Sequence, residues 1–288
     1  MRVPNTPVFL DLPPELCDRD TARVVVVPVP FEGSTSYGKG TIYGPHAIIN
    51  ASAQVELWDE MSECEPCEMG IATDDQITCG DGWTTMSAEL SAKAVNLAKD
   101  KKFPFFLGGE HSISAPIVQG LSEVYKNLTV LHCDAHADLR EEYQGLKWSH
   151  ASVMKRIWEM GIPFASVGIR SLSAEEHDLI CEHKLNVFFA HKRHDDPDWI
   201  DKVISKLGSH VYVTFDIDAV DISEVRATGT PEPGGLYWRE IMMLFSKLHD
   251  SGKKVVGADL VEVAPCRHDH ASTFYAARLA YKLISYLA

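Results

Sequence analysis

The chain has 288 residues, a formal net charge of −14 and 45% hydrophobic residues. That length suits one large α/β domain or two smaller ones, and the composition excludes a disordered chain. The acidic balance argues against nucleic acid and anionic membrane as partners; it suits a cationic substrate, although solubility alone would explain it.

Seven cysteines (17, 64, 67, 79, 133, 181 and 266) are scattered and odd in number, as expected for reduced thiols in the cytoplasm rather than a disulfide framework. Cys64 and Cys67 form a CxxC, but without a second pair or a neighbouring histidine it reads as a surface loop. The N-terminal stretch lacks an apolar signal core, and no run reaches the ~18 apolar residues of a membrane span. A cytoplasmic protein without membrane contact is expected.

Short apolar runs alternate with amphipathic segments. Strands are predicted at 23–30, 103–109, 128–138, 164–170, 185–191, 210–218 and 254–263. Helices are predicted at 44–52, 84–100, 113–126, 150–160, 173–184, 196–207, 238–250 and 272–287, with Ser112 or Ser114 as candidate N-cap of the third. No linker or repeat interrupts the rhythm. Strand–helix alternation with near-continuous apolar strands predicts one doubly wound α/β domain with a mainly parallel sheet. Its site should lie beyond the carboxyl ends of the strands.

Polar clusters follow the apolar runs. "LTVLHCDAHADLR" passes from a buried strand into Asp134, His136 and Asp138, each two residues apart; if the extended conformation continues, all three share one face. Asp216 and Asp218 follow "HVYVTF", His111 follows "FPFFLGGE", and Glu262 ends the last strand. Buried carboxylates crowded together are strongly disfavoured unless positive charge lies between them. The four aspartates carry four negative charges, which two divalent cations would neutralise. Oxygen and nitrogen donors without thiolate suit Mn²⁺, with Zn, Fe, Co and Ni open. Two such ions about 3.5–4 Å apart activate water, so the chemistry suggested is hydrolysis.

"GGEHSIS", "DAHAD", "SHASVMKRI", "FDIDAVD", "TGTPEPGGL" and "DLVEVAP" resemble, in order and spacing, the signature blocks of the ureohydrolases, the group of arginase and agmatinase. The likeness runs from about residue 24 to near the end and looks closest to the prokaryotic agmatinase branch. It implies a three-layer α/β/α arginase-like sandwich, a single domain over residues 1–288 with an N-terminal extension at 1–22, and two Mn²⁺ per subunit. By position, His111, Asp134, Asp138 and Asp216 would hold the more exposed metal. Asp134, His136, Asp216 and Asp218 would hold the other, with Asp134 and Asp216 bridging. Glu262 would grip a guanidinium and His150 would shuttle protons; Glu110 reads as support for a turn. A homo-trimer or homo-hexamer is implied.

The resemblance also bears on the substrate. The Asn/Ser stretch with which arginases read the α-amino acid group is missing from "LREEYQGLKWSH". Agmatine, cleaved to putrescine and urea, is therefore the expected substrate, with Glu141 or Glu142 as a distal amine partner. Arg140 in the cleft would instead favour 4-guanidinobutanoate. A catalytically silent relative is the third possibility, but it should have lost ligands and none is missing. "ATGTPEPGGLYWRE" reads as a cleft wall, and His268 and His270 as part of a loop capping the last helix.

Overall fold

The computed structural model describes residues 7–80 and 82–288. Eight strands form one sheet: β1 (Val24–Val29), β2 (Ile71–Thr73), β3 (Phe103–Gly108), β4 (Leu128–Cys133), β5 (Phe164–Ile169), β6 (Asn186–Phe189), β7 (His210–Asp216) and β8 (Lys254–Val261). Their order is β2-β1-β3-β8-β7-β4-β5-β6, and every pairing is parallel.

Among the described residues, eight α-helices cover the two faces: α1 (Gly44–Ser52), α2 (Trp83–Lys99), α3 (Ser114–Val124), α4 (Val153–Glu159), α5 (Ala174–His183), α6 (Trp199–Ser205), α7 (Trp238–Asp250) and α8 (His270–Leu287). Alternation along the strands sorts the core into two layers. Val24, Val26, Phe105 and Val213 face α1, α6, α7 and α8, whereas Val25, Val27, Phe106 and Tyr212 face α2, α3, α4 and α5. Burial on both faces is why these strands read as unbroken apolar runs. Truncating the fully buried Phe105 or Phe106 to alanine would cost about 3–5 kcal/mol. The architecture is the expected three-layer α/β/α sandwich.

Part of the N-terminal extension, residues 1–6, lies outside the described residues. From Pro7 onward it packs on the domain: Phe9 and Leu10 are buried, with backbone N–H groups donating to Thr73 and Ser52.

Local differences from the sequence reading are instructive. β2 escaped notice because its three residues are too few for a period-two pattern. The extended run predicted to Asp138 stops at Cys133, and Asp138 adopts a left-handed φ of 52°. Neither Ser112 nor Ser114 caps α3. The Ser112 hydroxyl donates to Glu110 and that of Ser114 to Asp259, so tertiary carboxylates outcompete the helix end. The exposed Cys64 fits a surface loop, but Cys67 is in the core. The His268–His270 segment does lead into α8, whose cap is Asp269 accepting from Ser272.

Candidate metal centre and cleft

β3, β8, β7 and β4 are neighbours in the middle of the sheet, and their carboxyl ends supply every polar residue singled out above except His150. The chain reaches β4 from β3 by passing over the places later filled by β7 and β8. That reversal of strand order makes the crevice where ligands bind in open α/β sheets.

Close backbone packing aims His111. A Cβ on Gly109 would lie 1.9 Å from the Phe31 carbonyl, so only glycine lets the end of β3 pass the loop after β1. The chain then turns, placing His111 in a short 3₁₀ turn. Glu262 follows β8 with a φ of 62°, and its Oε1 accepts the His111 backbone N–H at 2.6 Å.

The His111 side chain is 1% exposed, and its Nδ1 lies 3.0 Å from Asp134 Oδ2, 3.3 Å from Asp138 Oδ2 and 3.2 Å from Asp216 Oδ2. Its other ring nitrogen, Nε2, meets Thr214 Oγ1 at 2.8 Å, and that hydroxyl donates to Asp259 Oδ1 at 2.7 Å. Tyr212 and Ser114 donate to the second Asp259 oxygen. Thr214 spends its proton on Asp259, so its oxygen accepts from His111 Nε2–H. The Nδ1 lone pair is left facing the carboxylates.

A second group stands beside the first. His136 Nδ1 is 2.9 Å from Asp218 Oδ2 and 3.5 Å from Asp134 Oδ1, with its side chain 26% exposed. Asp134 thus turns one oxygen to each imidazole, the arrangement a bridging carboxylate requires. The corresponding second oxygen of Asp216, Oδ1, accepts the Asp218 backbone N–H at 2.9 Å. Of the two rings His136 is the more exposed, at 26% against 1% for His111, while Asp138 and Asp218 are both buried.

The electrostatics call for cations. Burial opposes ionisation, yet His111, His132 and His136 hold Asp134 well below the usual carboxylate range. Burial, with Asp218 and Asp134 nearby, drives Asp216 well above it; burial and Asp134 raise Asp138. His111 and His136 are pushed up despite burial, the first by the close carboxylates of Asp134, Asp138 and Asp216, the second by those of Asp218 and Asp134. The buried His111 Nδ1 has carboxylate oxygens around it but no well-directed hydrogen bond. Converging lone pairs without a donor are what a divalent ion fits. His111, His132, Asp134 and Asp138 form one group able to hold a metal, and Asp134, His136 and Asp218 another.

His150 and Glu262 join the cleft, which His111, His136, Asp138, Asp216 and Asp218 also line; Tyr37, Gly229 and Thr230 form part of its wall. The Gly229–Thr230 segment bears out the wall expected of the Pro/Gly loop. Arg140 lies outside this lining, 3.9 Å from Glu176 and over the Tyr143 ring. Glu141 pairs with Lys155 at 2.9 Å, which leaves it poorly placed to meet a substrate amine.

Some supporting residues went unseen in the sequence. His132 stands two residues before Asp134 on the same strand face, and its Nε2 is 2.8 Å from Asp134 Oδ2; that i, i+2 spacing was the available signal. Arg170 bonds the carbonyls of Gly168, Asp218, Glu232 and Pro233, clasping the Asp218 turn to the Pro/Gly loop. Arg193 holds the same loop through Gly234 and Gly235. Nothing in the sequence pairs these arginines with a loop tens of residues away.

Comparison with known proteins agrees with this geometry. The family model described as the arginase family matches residues 22–285. An N(1)-aminopropylagmatine ureohydrolase from Synechocystis sp. is 39% identical over 92% of this chain and 89% of its own length. An agmatinase from Pyrococcus horikoshii is 35% identical, with 93% of each chain covered. The crystal structure of agmatine ureohydrolase of Thermoplasma volcanium superposes with a TM-score of 0.84 at 29% identity, covering 92% of this chain and 90% of that one. With its sheet, cleft and His/Asp cluster in place, the chain belongs to the arginase family and is a ureohydrolase.

Proposed function

We propose that this enzyme hydrolyses the terminal guanidinium of agmatine, giving putrescine and urea. The observation carrying this reading is the chemistry of the cleft: its lining holds carboxylates, imidazoles and neutral groups, with no lysine or arginine among the described residues. Such a wall receives a cation and offers no positively charged side chain to a substrate carboxylate, which disfavours 4-guanidinobutanoate and arginine. A second reading, N(1)-aminopropylagmatine, is favoured by the 39% identity to a relative of that name. The 85% exposed Tyr37 at the cleft mouth adds support, since an open aromatic face suits a further ammonium group.

Two divalent ions, Mn²⁺ in this proposal, would be held by His111, Asp134, Asp138 and Asp216 and by Asp134, His136, Asp216 and Asp218; when bound they supply a nucleophilic water of lowered pKa. The chain's own residues do the rest. Glu262 spends Oε1 on the His111 N–H, leaving Oε2 to orient one edge of the guanidinium. Holding the planar cation still matters because its carbon is resonance-stabilised and a poor electrophile. One guanidinium and one water give one ammonium and one urea, so the leaving nitrogen gains two protons. His150, on the cleft wall, carries protons to it.

The scattered positions and odd number of the cysteines support a reducing, cytoplasmic setting. The trimer or hexamer remains part of the proposal, to be read by light scattering.

The test is urea release from agmatine, N(1)-aminopropylagmatine, 4-guanidinobutanoate and arginine after Mn²⁺ loading. Turnover of the two amines well above the two acids is expected; silence on both amines would overturn the proposal. Glu262→Gln should retain bound metal while kcat/KM falls roughly 100-fold or more, from loss of a charge-assisted contact to the guanidinium. Full activity of that variant would remove Glu262 from its role.

A further inference from the structure

The loop "EGSTSYGKG" after β1 carries a serine that the assigned chemistry does not use. Ser34 is buried, 8% exposed, and its hydroxyl stands between a carboxylate and His150. Ser34 Oγ donates to Glu110 Oε1 at 2.7 Å, accepts the His150 backbone N–H at 3.0 Å, and lies 3.0 Å from His150 Nδ1. Glu110, fully buried, also accepts the backbone N–H groups of Gly33 and Ser34, both at 2.6 Å, and the Ser112 hydroxyl at 2.5 Å.

These bonds fix the direction of the chain of donors. Every group hydrogen-bonded to the Glu110 carboxylate donates to it, so the carboxylate accepts. The single Ser34 proton is therefore committed to Glu110, and the Ser34 oxygen has only lone pairs left for His150. One lone pair takes the His150 backbone N–H, which can do nothing but donate. The other faces Nδ1, which must then carry a proton. On its other side the ring meets Tyr143 edge-on at 5.3 Å, which limits rotation.

We infer that Glu110 and Ser34 are positioning residues that hold His150 in its Nδ1–H tautomer, leaving the Nε2 lone pair as the atom that takes and returns protons in the cleft. The inference rests on the proton-carrying role proposed for His150. Nε2 takes a proton from the attacking water as the carbon–oxygen bond forms. It returns that proton to the departing nitrogen as the carbon–nitrogen bond breaks and its electron pair leaves with the amine; the water's second proton follows through Nε2 as the urea carbonyl forms, so the amine departs as an ammonium. An imidazole with its proton on Nε2 could not begin this cycle. The arrangement serves the purpose a carboxylate serves behind a catalytic histidine elsewhere, with a hydroxyl inserted between the two.

Two measurements test it. The first needs no mutation of the relay: long-range ¹H–¹⁵N correlation spectra of the zinc-loaded protein in mildly alkaline buffer, with His150 identified by its absence in His150→Asn. A protonated Nδ1 is expected; a protonated Nε2 overturns the inference. The second compares Ser34→Ala with Ser34→Thr. Both keep the backbone bonds from Gly33 and Ser34 to Glu110, so the loop stays anchored. Ser34→Ala should lower kcat roughly 10- to 100-fold with KM within about threefold, and Ser34→Thr should recover most of that loss. Wild-type kcat in Ser34→Ala, or a loss confined to KM, overturns the inference. Wild-type enzyme inactive on every guanidino compound would instead refute the proposed function, while the spectra would still report the tautomer.

Discussion

Around His111, every supporting group is buried: Thr214, Asp259, Tyr212 and Ser114 form a closed set of hydrogen bonds behind the ring. Around His136, the ring is 26% exposed, and support reaches its partner Asp218 from outside the sheet, through the Arg170 clasp on the loop carbonyls. The inner half is preorganised by side chains of β7, β8 and the start of α3 that cannot move without disturbing the core. The outer half depends on a loop held by cations. A stiff inner position and an adjustable outer one suit a site that must fix a nucleophile and still admit substrates of different length.

Asp134 and Asp216 are assigned to both halves, and Asp134 alone turns an oxygen to each imidazole, so Asp134→Ala should have the largest effect. Both ions should be lost, and urea release should fall by at least roughly three orders of magnitude, since activated water supplies several kcal/mol of barrier lowering. His111→Ala and His136→Ala divide the comparison. Metal analysis should find the His136 variant keeping one ion while the His111 variant binds neither tightly. Equal metal loss in the two variants would break the distinction between the halves.

Much of this was legible in the sequence because burial on both sheet faces writes strands as apolar runs, and an aspartate or histidine at the end of such a run stands out. His111, Asp134, Asp216 and Glu262 were found in that way. Asp138 was placed by the wrong geometry. The strand stops five residues earlier, and a left-handed turn, not period-two alternation, brings it to His111. The relative burial of the His111 and His136 rings was not legible for a related reason: it depends on which strands flank each ring, and β8 and β7 enter between β3 and β4 only after the rest of the sheet is laid down. Ser34, Asp259 and Arg170 escaped altogether, since a serine in a glycine loop, an aspartate inside a strand and an arginine after one carry no local sign of their partners. The distance along the chain, 76 residues from Ser34 to Glu110, defeats any window-based reading.

An intermediate effect is expected from removing what stands behind each half. Asp259→Asn weakens the acceptor that orients Thr214 and, through it, His111. Metal affinity should fall roughly 10- to 100-fold, the range for partners of metal-binding histidines. Arg170→Met removes the clasp at Asp218 but leaves His111 untouched. Titration of Mn²⁺ into metal-stripped protein should show the tighter site weakened by Asp259→Asn and the looser one by Arg170→Met. The same site weakened in both variants would mean that the two supports are not separate.

The smallest effect belongs to Asp221, which anchors the outer loop without touching the cluster. Its carboxylate accepts the N–H groups of Ser223, Gly234 and Gly235, and Gly235 packs so tightly on Val220 that a Cβ there would come within 2.6 Å of the Val220 carbonyl carbon. Burial works against ionisation, but these bonds prevail and hold the carboxyl down at about 2. A folded-state pKa below the unfolded value stabilises the native chain fully above the unfolded value, and that stability is lost as pH falls through the folded one. The displacement from 3.8 to about 2 corresponds to about 2 kcal/mol. Asp221→Asn should therefore unfold more easily than the parent at neutral pH by about that amount. The gap should close as pH drops from near 4 towards 2, measured by denaturant titration of metal-stripped protein so that proton-driven metal release does not contribute. The absence of a gap at neutral pH would assign the loop's stability to Arg170 and Arg193 alone, and the outer half would then be held by cations without help from this carboxylate; a gap constant across the range would mean that Asp221 acts without its charge.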